Sequence, residues 1–156
     1  MAEIEKVLLD RFYREYWIFL MLFILIALIT VAFIIFYPIQ FNKMAKRFKI
    51  AIPIVSLFLI VLCFFLGKLF LKYHDDYVFL ETNTPIHVTG EVIGYSNVVS
   101  HDDLTVTKSW PIILVSETDA QISLGVIHSE ERLVVGEVYD FLYLPNTKIA
   151  EFVGKG

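Results

Sequence analysis

The sequence is poor in the residues and motifs that most often indicate a particular chemistry. It has one cysteine, Cys63, so no intramolecular disulfide can form and cysteine usage does not distinguish compartments. The formal net charge is −4 at pH 7, which argues against the basic surface that nucleic-acid binding needs. The seven glycines form no phosphate-binding loop, and Gly94-Tyr95-Ser96-Asn97 lacks the second glycine of a nucleophile elbow. We therefore expect no enzyme activity, no cofactor and no nucleic-acid partner.

Charge is also missing from two long stretches of the first half. Trp17 to Tyr37 holds no charged residue, and Ile50 to Lys72 holds only Lys68 before its last position. At 1.5 Å per residue each run can cross the roughly 30 Å hydrocarbon core of a bilayer. The first run is too long for a cleaved signal peptide. We predict transmembrane helices over 17–37 and 50–72, in a multi-pass protein of the cell membrane that contacts the lipid bilayer.

The connection between the two spans is basic. Residues 38–49 contain Lys43, Lys46, Arg47 and Lys49 and no acidic residue. The positive-inside rule predicts a cytoplasmic loop here, with both termini extracytoplasmic. Since neither span has an ionisable residue near its centre, the pair is expected to be a tether and not a transport pathway.

Residues 1–16 read as an amphipathic helix that leads into the first span. Its apolar stripe includes Ile4, Leu8 and Phe12, at helical spacing. Two interpretations remain open. The stripe packs on the chain's own C-terminal domain or on the membrane surface, or it is a docking helix for a partner protein or a second copy.

Residues 73–156 change to a two-residue period, typical of β-strands. The predicted strands are Ile86–Tyr95, Leu104–Thr107, Trp110–Val115, Gln121–His128, Val134–Leu144 and Ile149–Val153, separated by turn-forming residues. So many short strands in some eighty residues predict a small closed barrel or sandwich of OB or SH3-like size, and we take the barrel. The fold class is therefore membrane α plus all-β, a two-helix transmembrane hairpin followed by an extracytoplasmic barrel.

Aromatic residues alternate along one predicted strand of this domain. Tyr139, Phe141 and Tyr143 share a face, and Trp110 begins another β-prone segment. These four residues are candidates for an interaction surface, and the alternative is that the shared face is the barrel core. The opposite residues are also mostly apolar, so this strand must be central or covered by the N-terminal helix, the membrane or a partner.

Imidazole and carboxylate groups cluster three times along the chain. The clusters are His74-Asp75-Asp76, His101-Asp102-Asp103 and His128-Ser129-Glu130-Glu131. Such groups can ligate divalent metals or titrate near neutral pH, but none of the clusters has the spacing of a metal signature. Solvated turns explain them better, because each cluster lies at a predicted turn or strand boundary, and no metal site is assigned.

The second half resembles the DUF3592-type membrane β domains. The resemblance is carried by Gly90-Glu91-Val92, Trp110-Pro111-Ile112-Ile113-Leu114, the segment from Val135 to Asn146, and Ala150-Glu151-Phe152. It implies a membrane-tethered, non-catalytic domain. The chain departs from that pattern because both spans precede the domain and Leu144 replaces the usual Asp. The OB domain of NfeD-like membrane proteins is a second similar family.

These observations lead to a non-enzymatic membrane protein whose β domain binds another protein, as an accessory subunit or an immunity-type factor. Two alternatives stay open. The chain could assemble with itself as a membrane scaffold through residues 2–15 and its β edges, or act as a metal- or pH-responsive membrane regulator.

Overall fold

The structure is a computed structural model that describes residues 2–40, 46–100, 106–129 and 133–156. It contains two helices and six strands: α1 (Ala2–Gln40), α2 (Lys46–Thr82), β1 (Ile86–Ser100), β2 (Val106–Val115), β3 (Gln121–Ser123), β4 (Gly125–Ser129), β5 (Val138–Tyr143) and β6 (Ile149–Lys155). The chain divides into a barrel unit, Met1–Tyr13 with Asp75–Gly156, and a helical unit, Arg14–His74.

Helix α1 joins the predicted amphipathic segment and the first predicted span without a break. No glycine or proline occurs between residues 2 and 37, so nothing in the local sequence interrupts it. The helix continues through Pro38, past the predicted end of the span at Tyr37, and ends at Gln40. Residues 41–45 of the predicted basic loop, including Lys43, lie outside the described residues, whereas Lys46, Arg47 and Lys49 lie in α2 and not in a loop.

Helix α2 is longer at both ends than the predicted span of 50–72. It begins at Lys46, so Pro53 lies inside the helix and not in its first turn. A proline cannot donate to the carbonyl four residues before it. That carbonyl belongs to Lys49 and accepts a hydrogen bond from the Tyr37 hydroxyl at 3.1 Å instead. The helix continues to Thr82 because residues 73–82 also contain no glycine or proline.

Both helices are long and apolar enough to cross a membrane. The most apolar window of α1 is only 6% buried and that of α2 is 0% buried, which distinguishes them from the core helices of a soluble protein. Within the helical unit they pack through aromatic rings, with Phe23 stacked on Phe70 at 5.6 Å and Phe19 beside Tyr73 at 4.8 Å between ring centroids.

The six strands confirm the predicted small barrel. β1, β2, β4, β6 and β5 are hydrogen-bonded in that order, and the β5–β1 pairing closes the ring. Every pairing is antiparallel except β4 with β6. β3 is an additional strand on the edge of β2. A closed ring of five strands fits the OB-type alternative of the prediction.

Several strand boundaries differ from those predicted. β1 continues to Ser100 instead of turning at residue 96, and the two short segments around residue 108 form the single strand β2. Pro111 therefore lies within a strand, at a bulge where the register with β1 shifts, and not at a strand start.

The predicted strand Gln121–His128 divides because its partner changes. Leu124 donates its backbone N–H to Pro111 on β2, whereas Gly125 donates to Lys148, just before β6. The predicted strand starting at Val134 instead begins at Val138, since residues 134–137 form a turn in which Gly136 has φ of +89°.

The barrel core consists of alternate residues from all the pairing strands. Eleven buried side chains form it: Val88, Val92, Ile113, Val115, Leu124, Val126, Leu133, Tyr139, Phe141, Tyr143 and Ala150. Close strand packing depends on Gly90, where an added Cβ would lie 2.4 Å from the Ile113 side chain and 2.5 Å from the Leu114 carbonyl oxygen. A side chain cannot be placed there without moving β2.

Candidate functional site

The apolar stripe of the N-terminal segment is buried inside the barrel unit. Leu8 and Phe12 have no exposed surface and Ile4 is half-buried. Because Met1–Tyr13 forms one compact unit with Asp75–Gly156, this burial favours packing on the chain's own domain. As the chain is folded, Leu8 and Phe12 have no surface to offer a partner.

Arg11 lies between these two apolar residues and binds the barrel directly. Its Nη1 donates to the Glu151 carboxylate at 3.0 Å and to the Ala150 carbonyl at 3.3 Å, and its Nη2 donates to the Gly125 carbonyl at 3.4 Å. Arg11 is 6% exposed and Glu151 13% exposed, so this is a buried ion pair. The guanidinium thereby joins α1 to both strands of the parallel β4–β6 pair.

Two leucines on the outer face of β5 are also buried. Leu142 and Leu144 point away from the barrel core, yet both are buried. Leu142 lies opposite Glu151 in the β5–β6 register, and Glu151 is the residue that Arg11 binds. Arg11 therefore brings α1 to the strand neighbour of Leu142. We call the contact region of residues 2–13, 75–82, β5 and β6 the helix–barrel junction.

A second buried charge joins α2 to the same side of the barrel. Asp76 has no exposed surface, and its carboxylate accepts four hydrogen bonds from the turn between β5 and β6. Oδ1 accepts from the backbone N–H and side-chain amide of Asn146, both at 2.9 Å, and Oδ2 accepts from the backbone N–H and hydroxyl of Thr147, at 2.7 and 2.6 Å. These bonds satisfy both carboxylate oxygens.

The aromatic residues predicted as an interaction surface lie mostly inside the barrel. Tyr139, Phe141 and Tyr143 are buried members of its core, and Trp110 is half-buried. Two-residue alternation places the side chains of one strand face on the inside of a barrel, so the core interpretation accounts for these three. The chain does not bring them together with Ile4, Leu8 and Phe12 as one exposed surface.

An exposed apolar patch occurs around the N-terminal end of β5. Val134, Val135, Ile93 and Val138 are 51%, 55%, 37% and 37% exposed. They are adjacent because the backbone of Val92 bonds to Gly136 at 2.8 Å and to Glu137 at 3.0 Å. We call these four residues the valine patch. Sequence analysis missed it because alternation assigned Val134 and Val135 to a strand and not to a turn.

A charged and aromatic cluster borders the valine patch. Lys155 Nζ lies 2.8 Å from Glu137 Oε1, and the Tyr139 hydroxyl donates to Glu137 Oε2 at 2.6 Å. The hydrogen bonds from Lys155 and then Tyr139 hold the pKa of Glu137 below its ordinary value of 4.5. Burial, followed by the bond to Glu137, raises the pKa of Tyr139 above 10.0. The interactions behind these shifts favour the charged carboxylate of Glu137 and the neutral phenol of Tyr139.

The three predicted imidazole–carboxylate clusters are only partly described. In the first cluster, His74 stacks on Phe70, Asp75 is exposed, and Asp76 is engaged by its four hydrogen bonds. These three side chains therefore do not point to one common site. Residues 101–103 and the carboxylates at 130–131 lie outside the described residues. Within the described part of the chain, no three His, Cys, Asp or Glu side chains are grouped closely enough to hold a metal ion.

Sequence analysis also missed the two charges that hold the junction together. A signal was present for Arg11, because a cation between Leu8 and Phe12 interrupts an apolar stripe and requires a buried partner. Nothing local distinguished Asp76 from Asp75, since only the turn at 146–147 makes them different. In comparisons with known proteins, no family model, curated protein or solved structure matches this chain.

Proposed function

We propose that this chain is a non-enzymatic membrane protein with two spans whose barrel binds another protein, as an accessory subunit or immunity-type factor. The observation that carries the proposal is the valine patch. Four aliphatic side chains exposed close to one another on a small barrel support a binding surface, because contiguous exposed apolar patches mark protein–protein interaction sites. The residues first considered for this role are used inside the fold, which leaves the patch as the binding surface.

The surroundings of the patch favour a protein partner over the membrane surface. Glu91 and the Glu137–Lys155 pair border it, giving the apolar centre and polar rim typical of protein interfaces. Residues 75–156 contain thirteen acidic and four basic residues, a formal charge of −9. Such a domain is repelled by anionic lipid headgroups. The complementary partner surface is expected to be apolar at its centre and basic around it.

The direction in which the barrel faces follows from the charge of the loop. The basic residues at 43, 46, 47 and 49 support a cytoplasmic connection and an extracytoplasmic barrel. Cysteine accessibility tests this in a Cys63→Ala background. A membrane-impermeant maleimide should label Ser116→Cys in intact cells, and should label Asn42→Cys only after the membrane is opened. The reverse pattern would overturn the proposed sidedness.

Site-specific photo-crosslinking tests the binding function. A photoreactive amino acid is placed at Val135, with Ala120 as the matched control, because Ala120 is also exposed and its carbonyl is held by the Val115 N–H at 2.9 Å. In intact cells, position 135 should give one discrete crosslinked species that Val138→Asp removes, and position 120 should give none. Identical crosslinking from both positions, or none from position 135, contradicts the proposal.

The same experiment separates the self-assembly alternative. A crosslinked species of twice the chain mass would identify a second copy as the partner. The stripe of Ile4, Leu8 and Phe12 is a poor surface for self-assembly because Leu8 and Phe12 are already buried. Metal- or pH-dependent regulation depends on histidine clusters that lie partly outside the described residues.

A further inference from the structure

A groove runs along the helical unit between its two helices. It encloses about 560 Å³ and is lined mainly by apolar side chains, among them Phe23, Ile60 and Phe64. The Thr30 hydroxyl also lines it but already donates to the Ile26 carbonyl at 2.7 Å. Gly67 keeps one wall open, since its missing side chain would face the Phe23 ring at 3.5 Å. The groove thus accepts an apolar ligand.

One charged group lies at an end of this groove. Lys68 lines it, and its ammonium is 4.7 Å from the centre of the Phe64 ring. From Tyr16 to Tyr73 the sequence holds six basic residues and no acidic one. The acid of the helical unit, Glu15, accepts a hydrogen bond from the Tyr73 hydroxyl at 2.9 Å. A lysine about 6 Å inside Lys72 along the helix, in a stretch of sequence without acidic residues, therefore favours an anionic ligand.

The length of the groove indicates what kind of molecule carries this anion. On α2 it extends from Ile60 to Leu71, about 16 Å of helix. This is close to half of the roughly 30 Å hydrocarbon core, the depth of one leaflet. An acyl chain in one leaflet has this length, whereas a partner's transmembrane helix would follow the full span. Lys68 lies towards the end at which a headgroup would be found.

We propose that the groove binds one anionic phospholipid, with an acyl chain between the helices and its phosphate at Lys68. The inference rests on the proposed membrane insertion of α1 and α2, and is independent of what the barrel binds. A lysine over an aromatic ring keeps its ammonium available to a phosphate as a point charge. The predicted preference is for a lipid with net negative charge over a zwitterionic lipid with the same acyl chains.

Native mass spectrometry of the full chain in detergent tests the proposal, with phosphatidylglycerol and phosphatidylcholine of identical chains as probes. We expect one phosphatidylglycerol to bind, about tenfold more tightly than phosphatidylcholine. Lys68→Gln should remove this preference and Lys72→Gln should keep it, although both variants lose one positive charge. Gly67→Leu should fill the groove and weaken binding of both lipids, whereas Gly67→Ala should not.

Three results would overturn the proposal: no preference between the lipids, an equal effect of the two lysine variants, or efficient Cys63–Cys63 crosslinking under mild oxidation. The last would show that a second copy occupies the groove. Carbonate extraction of membranes provides the separate check on insertion, since a chain released by carbonate contradicts the anchoring and not only the lipid site. Emission from Trp110 in a Trp17→Phe background shows whether each variant retains a folded barrel.

Discussion

The buried carboxylate of Asp76 provides a sharp test of how the barrel is held to α2. Replacing Asp76 with Asn preserves the shape of the side chain but turns one acceptor oxygen into an NH₂ group. The remaining oxygen can still accept from both donors of Asn146. The Thr147 hydroxyl can rotate and accept from the new amide, but the Thr147 backbone N–H, now 2.7 Å from a nitrogen, cannot adapt.

The expected cost follows from that one unsatisfied donor. A buried N–H without an acceptor costs about 2 kcal/mol, and a further loss comes from exchanging charged for neutral hydrogen bonds. We therefore expect Asp76→Asn to lower the free energy of unfolding of the barrel unit by about 2–3 kcal/mol. Asp75→Asn removes the same charge from the neighbouring, exposed side chain and should change stability by less than about 0.5 kcal/mol.

The measurement uses tryptophan fluorescence in a Trp17→Phe background, which leaves Trp110 as the reporter in the barrel unit. Urea titrations in a mild detergent give the midpoint and slope for each variant. Amide hydrogen exchange at Asn146 and Thr147 gives a local check, because their N–H groups should exchange faster only in Asp76→Asn. Equal stability of the two variants, or unchanged exchange at both amides, would refute the role assigned to Asp76.

Three further predictions use the same preparation. Arg11→Ala leaves its buried carboxylate partner without a cation and should destabilise the barrel unit by about 3–5 kcal/mol in urea, whereas Ala at the exposed Arg14 should change it by less than about 0.5 kcal/mol. Gly90→Ala would place a methyl group 2.4 Å from a β2 side chain and should cost about 3 kcal/mol. Gly94→Ala meets nothing within 4 Å and should leave the melting temperature nearly unchanged. Because the pKa of Glu137 is lower in the folded state, its contribution to stability is present above pH 4.5 and is lost as pH falls through the folded-state pKa. Stability measured across this range should depend less on pH in Glu137→Gln, and unchanged pH dependence would contradict the assignment.

Local composition was sufficient to predict the two apolar helices and the change to β structure. Uncharged runs longer than a bilayer is thick can only be helices that cover their own backbone polar groups, and this requirement acts within one segment. The alternation of Tyr139, Phe141 and Tyr143 likewise placed them on one face of a strand. It left open whether that face was an interaction surface or the core, and the closed barrel decided for the core.

Boundaries that depend on a distant partner could not be predicted in this way. The division between β3 and β4 arises because Leu124 bonds to β2 and Gly125 bonds beside β6. Likewise, the valine patch exists because the turn at 134–137 is folded onto Val92. In each case the deciding hydrogen bond joins segments far apart in the chain, and its donor has no local signature.

The sequence alone determined that this chain has two helices able to span a membrane and a small β domain after them, because composition and period are local properties. Only the tertiary structure decided which charges and apolar residues are structural. In the sequence Asp76 looks like a surface residue and Arg11 shows only that it interrupts an apolar stripe, but the turn and strands that bind them make them buried connections between helices and barrel. The valines at 134, 135 and 138 look like strand residues, but the fold leaves them exposed. Burial depends on all neighbouring segments at once, so it follows from the assembled fold and not from local pattern.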